Sequence, residues 1–424
     1  MKILVIGSGA REHALVQKFL SEPGVDRVVA APGNAGMSAQ VTTVDVNVAD
    51  SEAIADLAEQ GEFDLVVVGP ELPLVNGAAD AVRARGIACF GPSAAAARLE
   101  GSKTFAKEVM AAAQVPTASA VTYTSVEEVG EALGRFGAPY VVKDDGLAGG
   151  KGVVVTDDRV EAECHARECL AKGSDVVVEE YLAGPEVSLF VITDGSAAVP
   201  FLAAQDHKRV GDGDSGPNTG GMGSYTPLVW APSDLVADIM EQVARPTIAE
   251  MARRGTPFVG VLYCGLALTA EGLRVVEFNA RFGDPEIQAV LRLLDSPLAP
   301  LLQAAASGQL ADQPDPVWSQ DAAVCVVIAA EGYPGAVANG DRIFGLDEAE
   351  RIPGATVIHA GTARADNQIV TSGGRILSVT ARGNDLSAAR ERAYRAVTAV
   401  KVRGSHHRND IAEAASDGSI TVPQ

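Results

Sequence analysis

Short unbroken runs of Val, Ile, Leu and Ala, separated by stretches of helix length, organise the first hundred residues: KILVIG at 2–7, RVVAA at 27–31 and DLVVVG at 64–69. A strand that is apolar on both faces must be covered on both, so the pattern predicts an open parallel sheet with helices on either side. Each run ends in a turn bearing Gly or Pro: Gly7-Ser8-Gly9, Ala31-Pro32-Gly33-Asn34 and Gly69-Pro70-Glu71. Ligands of such sheets lie at the carboxyl ends of the strands. The three turns are therefore expected to meet on one rim.

From Gly101 the pattern changes. A helix over 102–113 leads into PYVVKDDGLAGGKGVVV, which reads as strand, Gly-rich loop and strand; a helix over 159–171 and strands over 175–182 and 187–193 follow. A long irregular polar segment runs from 205 to 226, then a helix over 233–254 and the paired stretches FVGVLYCGLALT and LRVVEFNARFGDPE. The last unit begins near 321, with strands in AAVCVVIAA, ATVIHAG and RILSVTARG and a helix over 386–397. No internal repeat interrupts this order. The expected division is an α/β unit over 1–101, a central unit over 102–320 and an α+β unit over 321–424.

At 424 residues the chain exceeds what one core covers, which fits that division. Hydrophobic residues at 47% and charged residues at 21% exclude a mostly disordered protein. Asp and Glu outnumber Lys and Arg by 55 to 34, and the net charge of −21 opposes nucleic acid as a partner. Solvent screens such a field beyond about 8 Å, so an anionic small ligand needs a local cluster of Lys, Arg and metal. Five scattered cysteines without a CxxC pair argue against a zinc site or a disulfide framework and for a reducing compartment. No apolar stretch reaches the roughly 18 residues of a membrane span, and the first apolar run is too short for a signal peptide. A soluble cytoplasmic protein is expected.

Several clusters carry chemistry. The turn Gly7-Ser8-Gly9-Ala10-Arg11-Glu12 lacks the third glycine of a dinucleotide fingerprint, and the second strand ends in Pro32-Gly33-Asn34 rather than an acid, which disfavours a nicotinamide cofactor. A glycine turn feeding a helix N-terminus still offers amides to a phosphate monoester; a ligand-free reversal has the same sequence. The loop 144–152, with Gly146, Gly149, Gly150 and Gly152 between Lys143 and Lys151, is not a Walker A sequence, yet its amides and lysines suit phosphates, as they also suit an ordinary long turn. Glu179-Glu180-Tyr181-Leu182 with Glu186 reads either as a solvated strand end or as a hinge for adenine and ribose. In Glu277-Phe278-Asn279-Ala280-Arg281, strand alternation puts Glu277, Asn279 and Arg281 on one face. A buried polar row is costly unless it binds something, and its hard oxygens suit Mg²⁺ or Mn²⁺ with phosphates completing the shell. His207, in Gln205-Asp206-His207-Lys208-Arg209, has no partner at metal spacing and is read as an orienting residue.

The order of these pieces carries a resemblance. GSGAREHAL, APGNAG, VVVGPELPLVNG, FGPSAAAARLEGSK, VVKDDGLAGGKGV, EEYLAGPEVS, AQDHKRVGDGDSGPNTGGMGSYTP, VEFNARFGDPE and HHRNDIA together resemble the phosphoribosylamine–glycine ligase family of purine synthesis, within the ATP-grasp superfamily, over nearly the whole chain. The resemblance implies a pre-ATP-grasp α/β domain, an ATP-grasp unit with a mobile lid at about 121–188, and a C-terminal α+β domain. It implies that glycine's carboxylate takes the γ-phosphoryl group of ATP and that 5-phosphoribosylamine then displaces phosphate from glycyl phosphate. Lys103, Lys143, Gly149 and Lys151 would serve the ATP phosphates; Glu179, Glu180, Tyr181, Leu182 and Glu186 would hold adenosine; Glu277 and Asn279 would ligate Mg²⁺ or Mn²⁺. Arg281 would face the transferring phosphoryl, with Asp212, Asn218 and Thr219 beside the reacting groups. His207, Lys208, Gly220, Gly221, Asp284 and Glu286 would shape the glycine and amine sites, and Gly9, Arg11, Glu12, Asn34 and Glu71 would receive the ribose phosphate. A monomer or weak homodimer with small-molecule partners only is expected. Asp144 stands where the family carries a small residue and Gly149 where it carries Ala; a carboxylate beside phosphates weakens ATP binding unless it points away. VLYCGLALT carries no acid for a second metal. A formate- or bicarbonate-using relative is the competing enzyme reading, opposed by GPNTGGMG; a nonenzymatic nucleotide sensor would need broken lysine or metal positions.

Overall fold

A computed structural model describes residues 1–147 and 152–423. Its first sheet is parallel throughout, in the order Thr42–Thr43, Arg27–Pro32, Lys2–Gly7, Leu65–Val68, Ala88–Phe90. The two edge strands are too short to leave a hydrophobic run in the sequence. Leu4 and Ile6 enter one buried cluster and Ile3 and Val5 another, the two-sided burial that the continuous runs require. Gly7, at φ +128°, turns the first strand into helix Ala10–Leu20; a Cβ there would fall 2.7 Å from the Glu12 side chain.

The next unit is a four-stranded antiparallel sheet, ordered Ala120–Tyr123, Val176–Glu179, Tyr140–Asp144, Val153–Thr156. Helices Val126–Phe136 and Arg159–Ala171 close its own small core, which includes Val129, Leu133, Val142, Cys169 and Val178. The strand expected over 175–182 stops at Glu179, with the Glu180 amide still donating to the carbonyl of Ser119 opposite it at 3.0 Å.

A second antiparallel sheet follows in the order Ala198–Pro200, Glu186–Asp194, Val259–Thr269, Gly272–Asn279. Its last strand ends at Asn279, so Arg281 extends the expected row beyond the sheet, and the Ala280 amide donates to Glu100 Oε2 at 2.7 Å. The helix expected over 233–254 is Leu235–Ile239, a wider turn Met240–Ala244, and Arg245–Arg253. Pro246 explains the interruption, since it lacks the N–H that a regular helix would use there.

The segment 205–226 is built into a third sheet, ordered Gln205–Asp206, Gly223–Thr226, Ala322–Ala329, Arg375–Gly383, Ala355–His359 and antiparallel throughout. Between its first two strands projects a hairpin of Arg209–Gly211 and Ser215–Asn218. Helix Leu386–Ala399 covers the third sheet through Ala389, Ala393 and Ala396. Among the described residues, no helix is long and apolar enough to cross a membrane.

Candidate active site

Strand, helix and loop deliver polar side chains to one cavity. Glu277 and Asn279 arrive on strand Gly272–Asn279, Lys143 on Tyr140–Asp144, and Lys103 on helix Lys103–Ala112; Glu71, Glu100 and Arg281 complete its wall. Asn279 Nδ2 donates to Glu277 Oε1 at 3.3 Å, which leaves the amide oxygen of Asn279 open. Burial pushes the Glu277 carboxyl up, but Lys208, Lys143, the Asn279 amide and Lys103 outweigh it and hold the group below its ordinary range. Lys103 Nζ donates to the Gly146 carbonyl at 3.2 Å, and burial lowers its proton affinity.

Lys143 Nζ donates to the Val276 carbonyl at 3.0 Å and pairs with Glu179, whose other oxygen lies 2.9 Å from Lys107 Nζ. Glu179 is thus a buried anion between two lysines, and only the residues after it reach the surface. Glu180 Oε1 accepts the Ser119 amide at 2.9 Å, and Tyr181 is exposed. Lys107 was not anticipated, although its i,i+4 spacing from Lys103 puts both on one helix face. Asp144 alternates away from Lys143; its Oδ1 accepts the Gly146 amide at 2.9 Å and its charge acts on Cys169. The extra carboxylate therefore braces the loop, while its charge also acts on Lys103. Gly149 and Lys151 lie outside the described residues.

Arg281 bridges this cavity to the rim of the first sheet. Its Nε lies 3.4 Å from Glu71 Oε2 and its Nη2 3.2 Å from Glu100 Oε1. On the rim, Gly9 N donates to Glu12 Oε2 at 2.6 Å, Arg11 Nε donates to Glu12 Oε1 at 2.5 Å, and Arg11 N reaches Asp284 Oδ2 at 3.3 Å. Asn34 donates to the carbonyls of Ser8 and His359, each at 2.9 Å, and its Oδ1 accepts the Gly36 and Met37 amides, so it fastens the rim to the C-terminal sheet. Arg375, also unanticipated, lies 3.3 Å from Asp284 Oδ1 and donates to the carbonyls of Gly220 and Asp284 at 2.5 Å.

The glycine-rich segment divides in two. Lys208 Nζ reaches Glu186 Oε2 at 2.8 Å, so Glu186 carries an ion pair rather than standing free, and Lys208 also acts on Glu277. Gly221, at φ +109°, packs against Pro285, and Glu286 accepts the hydroxyls of Ser188 and Tyr263. Asp212 and Thr219, by contrast, are taken up in holding the segment: Asp212 accepts the amide and side chain of Asn409, and the Thr219 hydroxyl bonds the Lys208 carbonyl and the Gly221 amide. Asn218 lies on the hairpin strand opposite Arg209. His207 is half-buried against the Tyr225 ring; burial first, then Arg408, lowers its pKa to about 4, which suits a neutral orienting residue.

Among the described residues, no three His, Cys, Asp or Glu side chains gather to hold a metal. A metal here therefore needs ligands from its substrate, and the open oxygens of Glu277 and Asn279 on the cavity wall fit that requirement.

Comparison with known proteins decides the lineage. Residues 1–100, 101–287 and 323–414 match the N, ATP-grasp (A) and C domains described for phosphoribosylglycinamide synthetase. The phosphoribosylamine–glycine ligase of Streptomyces coelicolor is 57% identical over 418 residues, covering 98% of this chain and 100% of the relative; that of Mycobacterium leprae is 54% identical with full coverage of both. The chain belongs to the phosphoribosylamine–glycine ligase family. Another phosphoribosylamine–glycine ligase, from Thermotoga maritima, has a crystal structure that superposes with a TM-score of 0.82 at 32% identity, covering 97% of this chain and 100% of that one. A biotin carboxylase from Campylobacter jejuni, 16% identical with a TM-score of 0.72 over 95% of this chain and 92% of its own, shares the fold alone. As a member of the phosphoribosylamine–glycine ligase family, the chain is an ATP-grasp carbon–nitrogen ligase that uses ATP and a divalent metal on small molecules.

Proposed function

We propose that the chain joins glycine to 5-phosphoribosylamine at the expense of ATP, giving glycinamide ribonucleotide, ADP and phosphate. The observation that carries this reading is the position of Arg281, which touches Glu71 of the rim and lines the same cavity as Glu277, Asn279, Lys103 and Lys143. One guanidinium thereby adjoins both a triphosphate site and an amine site. A carboxylate is a poor electrophile, so an oxygen of glycine first attacks the γ-phosphorus and the bond to ADP breaks. The amine nitrogen then attacks the carbonyl carbon of glycyl phosphate, and phosphate leaves with the electron pair. Lys103 and Lys143 orient the phosphates, and Arg281 meets the charge of the transferring group. Mg²⁺ or Mn²⁺ held by Glu277 and Asn279 would neutralise phosphate charge when bound.

Glu180 to Leu182 form the hinge assigned to adenosine. The 220–221 turn with Asp284 and Glu286 borders glycine, and Gly9, Arg11 and Glu71 border the ribose phosphate. We assign residues 1–101, 102–320 and 321–424 to the three units, with the lid at about 121–188. Action as a monomer or weak homodimer is part of this reading, and five free cysteines support a reducing cytoplasm. ADP release measured with glycine, formate and bicarbonate in turn tests the reading. Glycine dependence supports it; formate dependence without glycine dependence overturns it.

A further inference from the structure

Lys107 lies one turn beyond Lys103 on helix Lys103–Ala112 and lines the same cavity as Lys103, Lys143 and Glu179. Its Nζ donates to Thr117 Oγ1 at 3.0 Å and to the Ala118 carbonyl at 2.9 Å, and lies 2.9 Å from Glu179 Oε2. The Thr117 hydroxyl gives its own proton to the Val275 carbonyl at 2.7 Å, so toward Lys107 it accepts. The Glu179 oxygen sits off the line of a hydrogen bond, and that contact is an ion pair. With two protons given to neutral acceptors and its charge set against Glu179, Lys107 is committed to protein partners.

Lys143 is placed differently. Its Nζ donates to the Val276 carbonyl at 3.0 Å and pairs with the other Glu179 oxygen, which leaves it a proton for the cavity. Glu179 is buried, and its ion-pair partners among the described residues are these two lysines. Burial opposes its charged form, yet Lys143 and then Lys107 hold the carboxyl below its ordinary range. Two ammonium groups and one carboxylate leave one net positive charge at the cavity wall. Without Lys107, Lys143 and Glu179 would form a neutral buried pair, and a phosphate would have to draw Lys143 away from a carboxylate with no other counter-ion.

We propose that Lys107 is a positioning residue for ATP: by holding the charge of Glu179 it lets Lys143 turn its own charge to the phosphates. The inference rests on the reading of Lys143 as a phosphate ligand and names the group that makes that lysine available. Lys107 acts through Glu179 and Lys143 and touches no substrate itself.

The test measures the affinity of the full chain for ATP with Mg²⁺, and for adenosine, by titration calorimetry. Lys107→Met is expected to weaken ATP binding about tenfold, the size of one hydrogen bond to a charged group, and to leave adenosine binding unmoved. Adding Glu179→Gln removes the charge that Lys107 balances. The double variant again carries one net positive charge at the wall and is expected to bind ATP as the wild type does. A lysine that only braces the backbone would not be replaced by the loss of a carboxylate. Unaltered ATP affinity in Lys107→Met, an equal loss for adenosine, or no recovery in the double variant would each overturn the proposal. Should Lys107→Met fail to fold, the double variant, which buries no unbalanced carboxylate, decides by the same comparison with the wild type. Wild-type ATP affinity in Lys143→Met instead defeats the reading of Lys143 on which the proposal rests, a separate outcome.

Discussion

Arg281 Nη2 lies 3.2 Å from Glu100 Oε1, which ties the residue just past strand Gly272–Asn279 to the end of helix Ala94–Gly101. The other Glu100 oxygen takes the Ala280 amide, so one buried carboxylate fixes both the backbone and the guanidinium at the cavity wall. Glu100→Ala leaves a buried charge short of a partner and an amide without an acceptor. It is expected to destabilise the chain by about 3 kcal/mol in urea denaturation, with Glu100→Gln losing less because it keeps the amide contact. Equal stability of the alanine variant and the wild type would contradict this account.

Glu277→Gln removes the charged metal oxygen while keeping the shape of the side chain. Metal affinity is expected to fall by about 100-fold or more, and turnover with it, while the chain still unfolds in one cooperative transition. The readout is activity titrated with Mg²⁺. Wild-type turnover in this variant at limiting Mg²⁺ would remove Glu277 from the metal site.

Arg408 is buried against the glycine-rich segment, donating to Asp214 Oδ1 and Asp410 Oδ2, each at 2.6 Å, and to the Arg209 carbonyl at 3.2 Å. Arg408→Ala strips the segment of this bolt to the C-terminal unit. A loss of about 3 kcal/mol is expected, together with faster proteolytic cleavage within 205–226, read by mass spectrometry of limited digests.

The pair His13 and His359 makes stability depend on pH. The His359 amide donates to His13 Nδ1 at 2.8 Å, a bond that requires the unprotonated nitrogen. Burial, followed by the charge of His359, lowers the His13 pKa to about 3, and burial lowers that of His359 to about 4. The unfolded chain binds a proton at each histidine below about 6.5 while the folded chain does not, so stability falls as pH drops from 6.5 toward those values. Each histidine contributes a slope of up to about 1.4 kcal/mol per pH unit. Urea denaturation between pH 6.5 and 5 should therefore show a shallower decline in His13→Gln than in the wild type; parallel declines would refute the assignment.

Legibility in the sequence followed the range of each interaction. Lys143, Glu277 and Asn279 stand out because each interrupts an apolar strand, where alternation alone says which side chains share a face. Glu100 and Lys107 gave no comparable signal, since an acid or a lysine on a helix ordinarily faces water. Arg375 and Arg408 lie far along the chain from the residues they hold, and Asp206 was read as part of a polar loop although it joins a sheet with the C-terminal strands.

The sequence by itself determined the strands buried on both faces, the glycine turns at their ends, the row of metal-type oxygens and the order of motifs that marks the lineage, because these depend on neighbours within a few residues. Only the tertiary structure decided which charges meet: Glu179 with Lys143 and Lys107, Arg281 with Glu71 and Glu100, Asp206 with Glu286. Coulombic pairing and desolvation act through distance in space, and segments remote in the chain set that distance when they pack.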